Sequence, residues 1–299
     1  MLYSSLKTIC FVCCCFLLSS FKNCIAQQPR LVLPIGHTSG INTAHFSPDG
    51  KKVVTASEDG TAKLWHAATG LLLADLTGHL GIVNYAEFSP DGKMIVTAGL
   101  NGGVKIWDAS SGMLIRQLSG NTLVGHWEEV KAAMFSPDSK KIVTASCDST
   151  AKIWEVSTGA LITDLKGHSD WVITAQFSPD GKKIVTASYD KTAKIWNAFT
   201  GILIADLKGH TNELNSAMFS PDGEKIVTAS YDSTAKLWDV SSGKLIIDLK
   251  GYSSNVESAQ FSPDGKKIII AFDDGMSKLI DASNGKQLFN LKGHTSSVK

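Results

Sequence analysis

Residues 167–196 read GHSDWVITAQFSPDGKKIVTASYDKTAKIW. VITAQF is a half-alternating apolar run, and SPDG follows it with Pro179 and Gly181 placed for a tight turn. KKIVTAS is rich in β-branched residues, a polar turn at Asp190-Lys191 leads into TAKIW, and after Gly201 the run ILIADLKG supplies a fourth apolar segment. Each piece reads as a short strand that cannot bury its apolar face alone, so the four together need neighbours on both sides. The same stretch carries His168, Ser188 and Asp190, the residue types of a hydrolytic triad. Whether they act as one turns on how often they occur.

They recur. The pair Gly-His stands at Gly36-His37, Gly78-His79, Gly125-His126, Gly167-His168, Gly209-His210 and Gly293-His294, with Gly251-Tyr252 in the remaining place, at spacings of 42, 47, 42, 42, 42 and 42 residues. Trp65, Trp107, Trp154, Trp196 and Trp238 each follow their histidine by 28 residues, and Ile280 holds that place in the sixth unit. Repeats of this length, four strands each, predict an all-β ring of radial sheets. On these residues the chain resembles the WD-repeat β-propellers, although the pair Trp-Asp itself stands only at Trp107-Asp108 and Trp238-Asp239. The resemblance covers residues 31–293. It implies a β-propeller of four-stranded antiparallel blades, with six complete repeats and the start of a seventh in residues 294–299. RLVLPIGH matches GLLLADLTGH, so residues 31–35 read as an outer strand without three inner strands before it. In the family an N-terminal strand commonly completes the last blade. Two readings stay open here: the N-terminal part of a longer propeller or a truncated product, and a closed six-blade ring in which residues 31–35 and 288–291 compete for one edge.

The triad residues occur four times, as His37, Ser57 and Asp59, His126, Ser146 and Asp148, His168, Ser188 and Asp190, and His210, Ser230 and Asp232, with Trp65, Trp154, Trp196 and Trp238. A catalytic site is needed once, whereas a buried hydrogen-bond network is needed in every blade. The resemblance implies the network: Asp190 accepting from His168 and from turn amides, His168 contacting Ser188, and Ser188 reaching the Trp196 indole. The second unit has Gly99 and Asn101 for the serine and aspartate, and the sixth has Tyr252, Phe272, Asp274 and Ile280. Such piecemeal replacement suits a structural role, and it marks the sixth blade as the least rigid. No catalytic residue is expected.

With 299 residues, 43% hydrophobic and 19% charged, the chain can bury a sizeable core, and its net charge of +1 gives no field for nucleic acid. Residues 1–26 have Lys7, an apolar run from Ile9 to Phe21 and a small residue, Ala26. That is the layout of a signal peptide, its apolar run well short of the roughly 20 residues that span a bilayer. Cleavage after Ala26 would leave residues 27–30 as a spacer, a formal charge of −1, Cys147 as the single thiol and hence no disulfide framework. No calcium, zinc or phosphate-binding motif occurs, so no metal and no cofactor is expected. Segments such as SSGKLIIDLK are distantly similar to propeller quinoprotein dehydrogenases, but the tryptophan sits in the other strand. His45 and His66 read as surface residues.

In the family, partners dock on the face made by the loops before the first strand and the turns between the second and third. Carried onto this chain, that face bears Trp171, Ile173, Tyr189 and Tyr231 on two adjacent units, with Ile82 and Leu100 nearby across the ring and Glu213 in an acidic surround. Aromatic residues within a charged rim have the composition of a protein interface. Five extra residues, 121–125, lengthen a turn on the same face just before Trp127. The sequence therefore predicts an exported, non-enzymatic scaffold binding a protein or peptide, with no nucleic acid and no membrane span after signal removal. The alternative is an N-terminal sensor or regulatory propeller of a larger, possibly enzymatic, multidomain protein.

Overall fold

The computed structural model describes residues 36–118 and 125–291. The expected signal segment, the spacer, the outer strand at residues 31–35, most of the insertion and the unit opening at residue 294 lie outside them. The described residues form six four-stranded antiparallel sheets, each of four strands consecutive in sequence. They contain no helix long and apolar enough to cross a membrane. We number the sheets as blades 1 to 6 and their strands from first to fourth. The first strands are Ile41–Phe46, Val83–Phe88, Val130–Phe135, Val172–Phe177, Leu214–Phe219 and Val256–Phe261.

Blade 4 shows how the repeat folds. The SPDG turn closes on itself: the Gly181 amide donates to the Ser178 carbonyl at 2.8 Å, and the Lys182 amide donates to Asp180 Oδ1 at 3.0 Å. Gly181 has φ +70°, a conformation in which a side chain costs energy. In the second strand Ile184 pairs with Phe177 and Trp196, and Val185 with Gln176 and Ile195. Neighbouring side chains leave opposite faces of the sheet. Ile184 therefore packs back against Val143, Ile153 and Leu165 of blade 3, while Val185 packs forward against Leu214, Phe219 and Ile226 of blade 5. That two-sided burial explains why KIVTAS is an apolar run without polar alternation. The core lies between blades, not inside them.

A register shift between Val172 and Thr174 recurs in every blade. A bulge lets two successive residues escape the alternation, so Ile173 and Thr174 both stay half-buried between buried Val172 and Ala175. First strands pack on first strands from blade 1 through blade 6. No comparable packing, and no core cluster, joins blade 6 to blade 1 among the described residues. Within the described residues the six blades form an arc that is open between blade 6 and blade 1.

Candidate docking face

In blade 4, His168 Nδ1 lies 2.7 Å from Asp190 Oδ2, and His168 Nε2 lies 2.7 Å from Thr186 Oγ1. The Trp196 indole donates to the same Thr186 oxygen at 2.9 Å. The Asp190 carboxylate can only accept, so Nδ1 is the nitrogen that carries the imidazole proton toward it; Nε2 of the neutral ring then accepts from the Thr186 hydroxyl, whose oxygen accepts from the Trp196 indole. Blades 1, 3 and 5 repeat the arrangement through Thr55, Thr144 and Thr228. The bridging hydroxyl is thus threonine, and the sequence expectation that Ser188 contacts His168 and Trp196 is corrected. The register explains why. Trp196 stands opposite Ile184, so its diagonal neighbour is Thr186, while Ser188 lies four residues along the strand, about 13 Å from Ile184.

Ser188 Oγ instead donates to the Asp170 carbonyl at 3.0 Å and accepts from the Asp190 amide at 3.0 Å, tying the loop before the first strand to the turn after the second. Ser57 and Ser230 make the corresponding bonds, and Ser146 accepts likewise from the Asp148 amide but donates to the Glu129 carbonyl, one residue further along the loop. Burial opposes ionisation of Asp190, but hydrogen bonds from His168, Thr192 and the Ser169 amide outweigh it and hold the carboxyl well below its ordinary range. Burial pushes the His126 and His210 imidazoles down, favouring the neutral form that the donor pattern requires.

A second polar element lies beside this one. Lys63, Lys152, Lys194 and Lys236, all buried, pair with Asp75, Asp164, Asp206 and Asp248 on the fourth strand. The signal was present as an aspartate twelve residues after each of these lysines.

Blade 2 keeps half of the network: His79 Nε2 lies 2.7 Å from Thr97 Oγ1, to which Trp107 donates at 2.8 Å. With Asn101 in place of the aspartate, burial and then nearby Lys105 push His79 down to about 4. Blade 6 has replaced the polar atoms together. Ile270 and Ile280 stand where threonine and tryptophan would be, and Tyr252 packs edge-on against Phe272 at 4.8 Å. Lys278 Nζ sits 4.6 Å from the Tyr252 ring centre. Removing donor and acceptor together leaves no orphaned group, which is why the change is tolerated.

The network holds one rim of the arc in place. In every blade the residue before the turn aspartate, or before Asn101 in blade 2, donates its amide to the carbonyl of the residue before the first strand, as Tyr189 does to Trp171 at 2.9 Å and Tyr231 to Glu213 at 3.0 Å. Trp171 and Tyr189 stack, ring centres 5.6 Å apart and 25° between planes. Burial raises both the Tyr189 and the Tyr231 phenols. Ile173, Tyr189 and Tyr231, with Lys131, Asn215 and Glu257, line a depression of about 340 Å³. Lys131 Nζ stands 5.9 Å from the Trp171 ring and 2.7 Å from Glu129 Oε2.

The structure thus brings Trp171, Ile173, Tyr189 and Tyr231 together, with Glu213 one residue outside the first strand of blade 5. Ile82 and Leu100, both half-buried on blade 2, lie outside the depression, as does exposed Trp127. Leu80 is exposed too, and it was missed; it follows His79 as Trp127 follows His126, so the repeat alignment could have found it. Ile173 also packs on the core between blades 4 and 5. His45, expected at the surface, lines the channel between the first strands and bonds the Ala86 carbonyl at 2.7 Å. Cys147 is buried, and burial pushes its thiol up to about 11.

Comparison with known proteins agrees with this geometry. The family described as IFT122 first beta-propeller matches residues 129–299, more than half of the chain, and the WD domain, G-beta repeat, matches residues 27–66 and 70–108. WD repeat-containing protein 86 of Homo sapiens is 52% identical over 42 residues, 14% of this chain and 11% of that protein. Periodic tryptophan protein 2 of Saccharomyces cerevisiae is 51% identical over 39 residues, 13% of this chain and 4% of that protein. The matches therefore span a small part of those relatives, about one repeat. The chain belongs to the WD-repeat β-propeller family.

Proposed function

We propose that this chain is an exported, non-enzymatic interaction scaffold that captures a protein or peptide on the rim formed by Trp171, Ile173, Tyr189 and Tyr231. The observation that carries the reading is the Trp171–Tyr189 stack beside Tyr231 at the mouth of a depression. Large aromatic surface, rigid because its loops are clamped by hydrogen bonds, is what an interface anchor requires. A hydrolytic role is disfavoured by the bonding of Ser188, whose hydroxyl points to a loop carbonyl while His168 engages Thr186. Export rests on the layout of residues 1–26.

The test is capture of partners by the chain recovered from its producing cells. Its first residue should be Gln27. Trp171→Ala and Tyr231→Ala should each abolish the specific capture while leaving the thermal midpoint nearly unchanged. Normal capture by both variants would sink the docking claim, and a chain still starting at Met1 would sink the export claim.

A further inference from the structure

Asparagine is followed by glycine twice in the chain, at Asn101-Gly102 and Asn284-Gly285. The pair is reactive because glycine has no side chain to keep its amide nitrogen from the preceding carboxamide carbon. Both asparagines are exposed, so access does not separate them. Their hydrogen bonds do. The Gly285 amide donates to the Asp281 carbonyl at 2.9 Å, and Asn284 Oδ1 accepts from the Lys286 amide at 2.8 Å, so both reacting groups are engaged. In blade 2 the turn bond is displaced by one residue. Where the Gly60 amide of blade 1 donates to the Ser57 carbonyl, Gly103 donates to the Leu100 carbonyl, and the Gly102 amide donates to nothing among the described residues. The Asn101 carboxamide makes one bond among them, from Nδ2 to the Leu80 carbonyl at 3.3 Å. Gly102 itself is obligatory, with φ +69° and the His126 carbonyl standing where a Cβ would lie.

Position 101 is the place that the network aspartate holds elsewhere. Asp59, Asp190 and Asp232 each face a histidine Nδ1 and accept from the amide of the residue after that histidine, Thr38, Ser169 or Thr211. Asn101 already reaches the residue after His79, but it donates to the carbonyl there, and His79 Nδ1 has no partner among the described residues. We propose that Asn101 is a deamidation site, and that the aspartate formed there completes the blade 2 network by accepting from His79 Nδ1 and the Leu80 amide. The Gly102 nitrogen, its proton taken by hydroxide, attacks Asn101 Cγ; the new C–N bond closes a five-membered imide as the bond to Nδ2 breaks and ammonia leaves. Water then adds at Cγ, the ring C–N bond breaks back to the Gly102 nitrogen, and a carboxylate stands in place of the carboxamide. The sum consumes one water and releases one ammonia. Addition of water at the main-chain carbonyl instead gives isoaspartate, which lengthens the turn and does not restore the network.

The experiment holds the full chain at pH 9 and follows both pairs by peptide mapping and mass, which separates aspartate from isoaspartate. Asn101 should convert at least about tenfold faster than Asn284, where the bond from the Gly285 amide must break first. Asn101→Gln, which would need a larger ring, should stop conversion at that position. Asn101→Asp should raise the pH at which the His79 imidazole resonances titrate by about one unit or more, since a carboxylate then faces Nδ1. The aged chain should show the same displaced resonances. Both variants change an exposed side chain, so both should fold, which their thermal midpoints check. Asn284 converting as fast as Asn101, isoaspartate as the sole product at 101, or a His79 titration unmoved by Asn101→Asp would each overturn the proposal.

Discussion

Thr186 joins the two halves of each buried network, because its one oxygen both receives the Trp196 indole proton and directs its own proton at His168. Thr186 is fully buried, so removing the hydroxyl strands two polar groups with no water to replace it. Thr186→Val should destabilise the chain by about 2 to 3 kcal/mol. Ser188→Ala removes bonds to a turn amide and a loop carbonyl near the rim, and should cost about 1 kcal/mol. Urea denaturation of the two variants decides the order; a larger loss for Ser188→Ala would mean that the serine holds the network after all. The right hydroxyl was legible in the sequence. The second unit loses serine and aspartate but keeps His79, Thr97 and Trp107, and the sixth loses histidine, threonine and tryptophan together as Tyr252, Ile270 and Ile280. Residues lost together belong to one network, and within this chain that pattern separates threonine from serine.

Among the elements, the two end blades differ from the interior ones for different reasons. Blade 6 lost its network, which the sequence showed. Blade 1 keeps its His37, Thr55, Asp59 and Trp65 bonds yet has a bare flank, with every residue of Ile41–Phe46 exposed or half-buried. That contrast was not legible, because Phe46 and Phe177 stand in near-identical sequence and only the presence of a neighbour distinguishes them. The strand count, the turns and the rim loops could be read in advance because they are local, set by the recurring Ser-Pro-Asp turns and by a 42-residue phase broken once, by the 47-residue spacing before blade 3. End effects are not local. In a structure whose units contact only their neighbours, stability is a sum of intrinsic and interface contributions, and an end unit lacks one of the latter. Native-state hydrogen exchange should therefore show the amides of blades 1 and 6 exchanging faster than those of blades 3 and 4. Protection in blade 1 equal to that in blade 3 would contradict this.

At the scale of the whole molecule, the first strands of the blades enclose a cavity of about 500 Å³, lined by His45, Tyr85, Glu87, Met134, Gln176 and Gln260 among others. Glu87 is its one carboxyl group among the described residues lining it. Burial pushes Glu87 up to about 7, and a hydrogen bond from the Tyr85 hydroxyl at 3.3 Å offsets only part of that. The consequence for stability has a definite sign. Between pH 4.5 and 7 the unfolded chain releases this proton while the folded chain keeps it, so the unfolded state binds fewer protons and stability falls as pH rises through that window. Glu87→Gln keeps the shape and an acceptor for Tyr85 but has no proton to lose. The variant should exceed the parent by about 1 to 2 kcal/mol at pH 8, less than the full linkage value because Glu87 is half-buried rather than fully buried, with the difference shrinking toward pH 4.5. Urea denaturation of both chains at pH 8 and pH 5 measures it. Equal stability at pH 8, or a gap that does not narrow on acidification, would mean that Glu87 is ionised and solvated in the channel and contributes nothing to the pH dependence of folding.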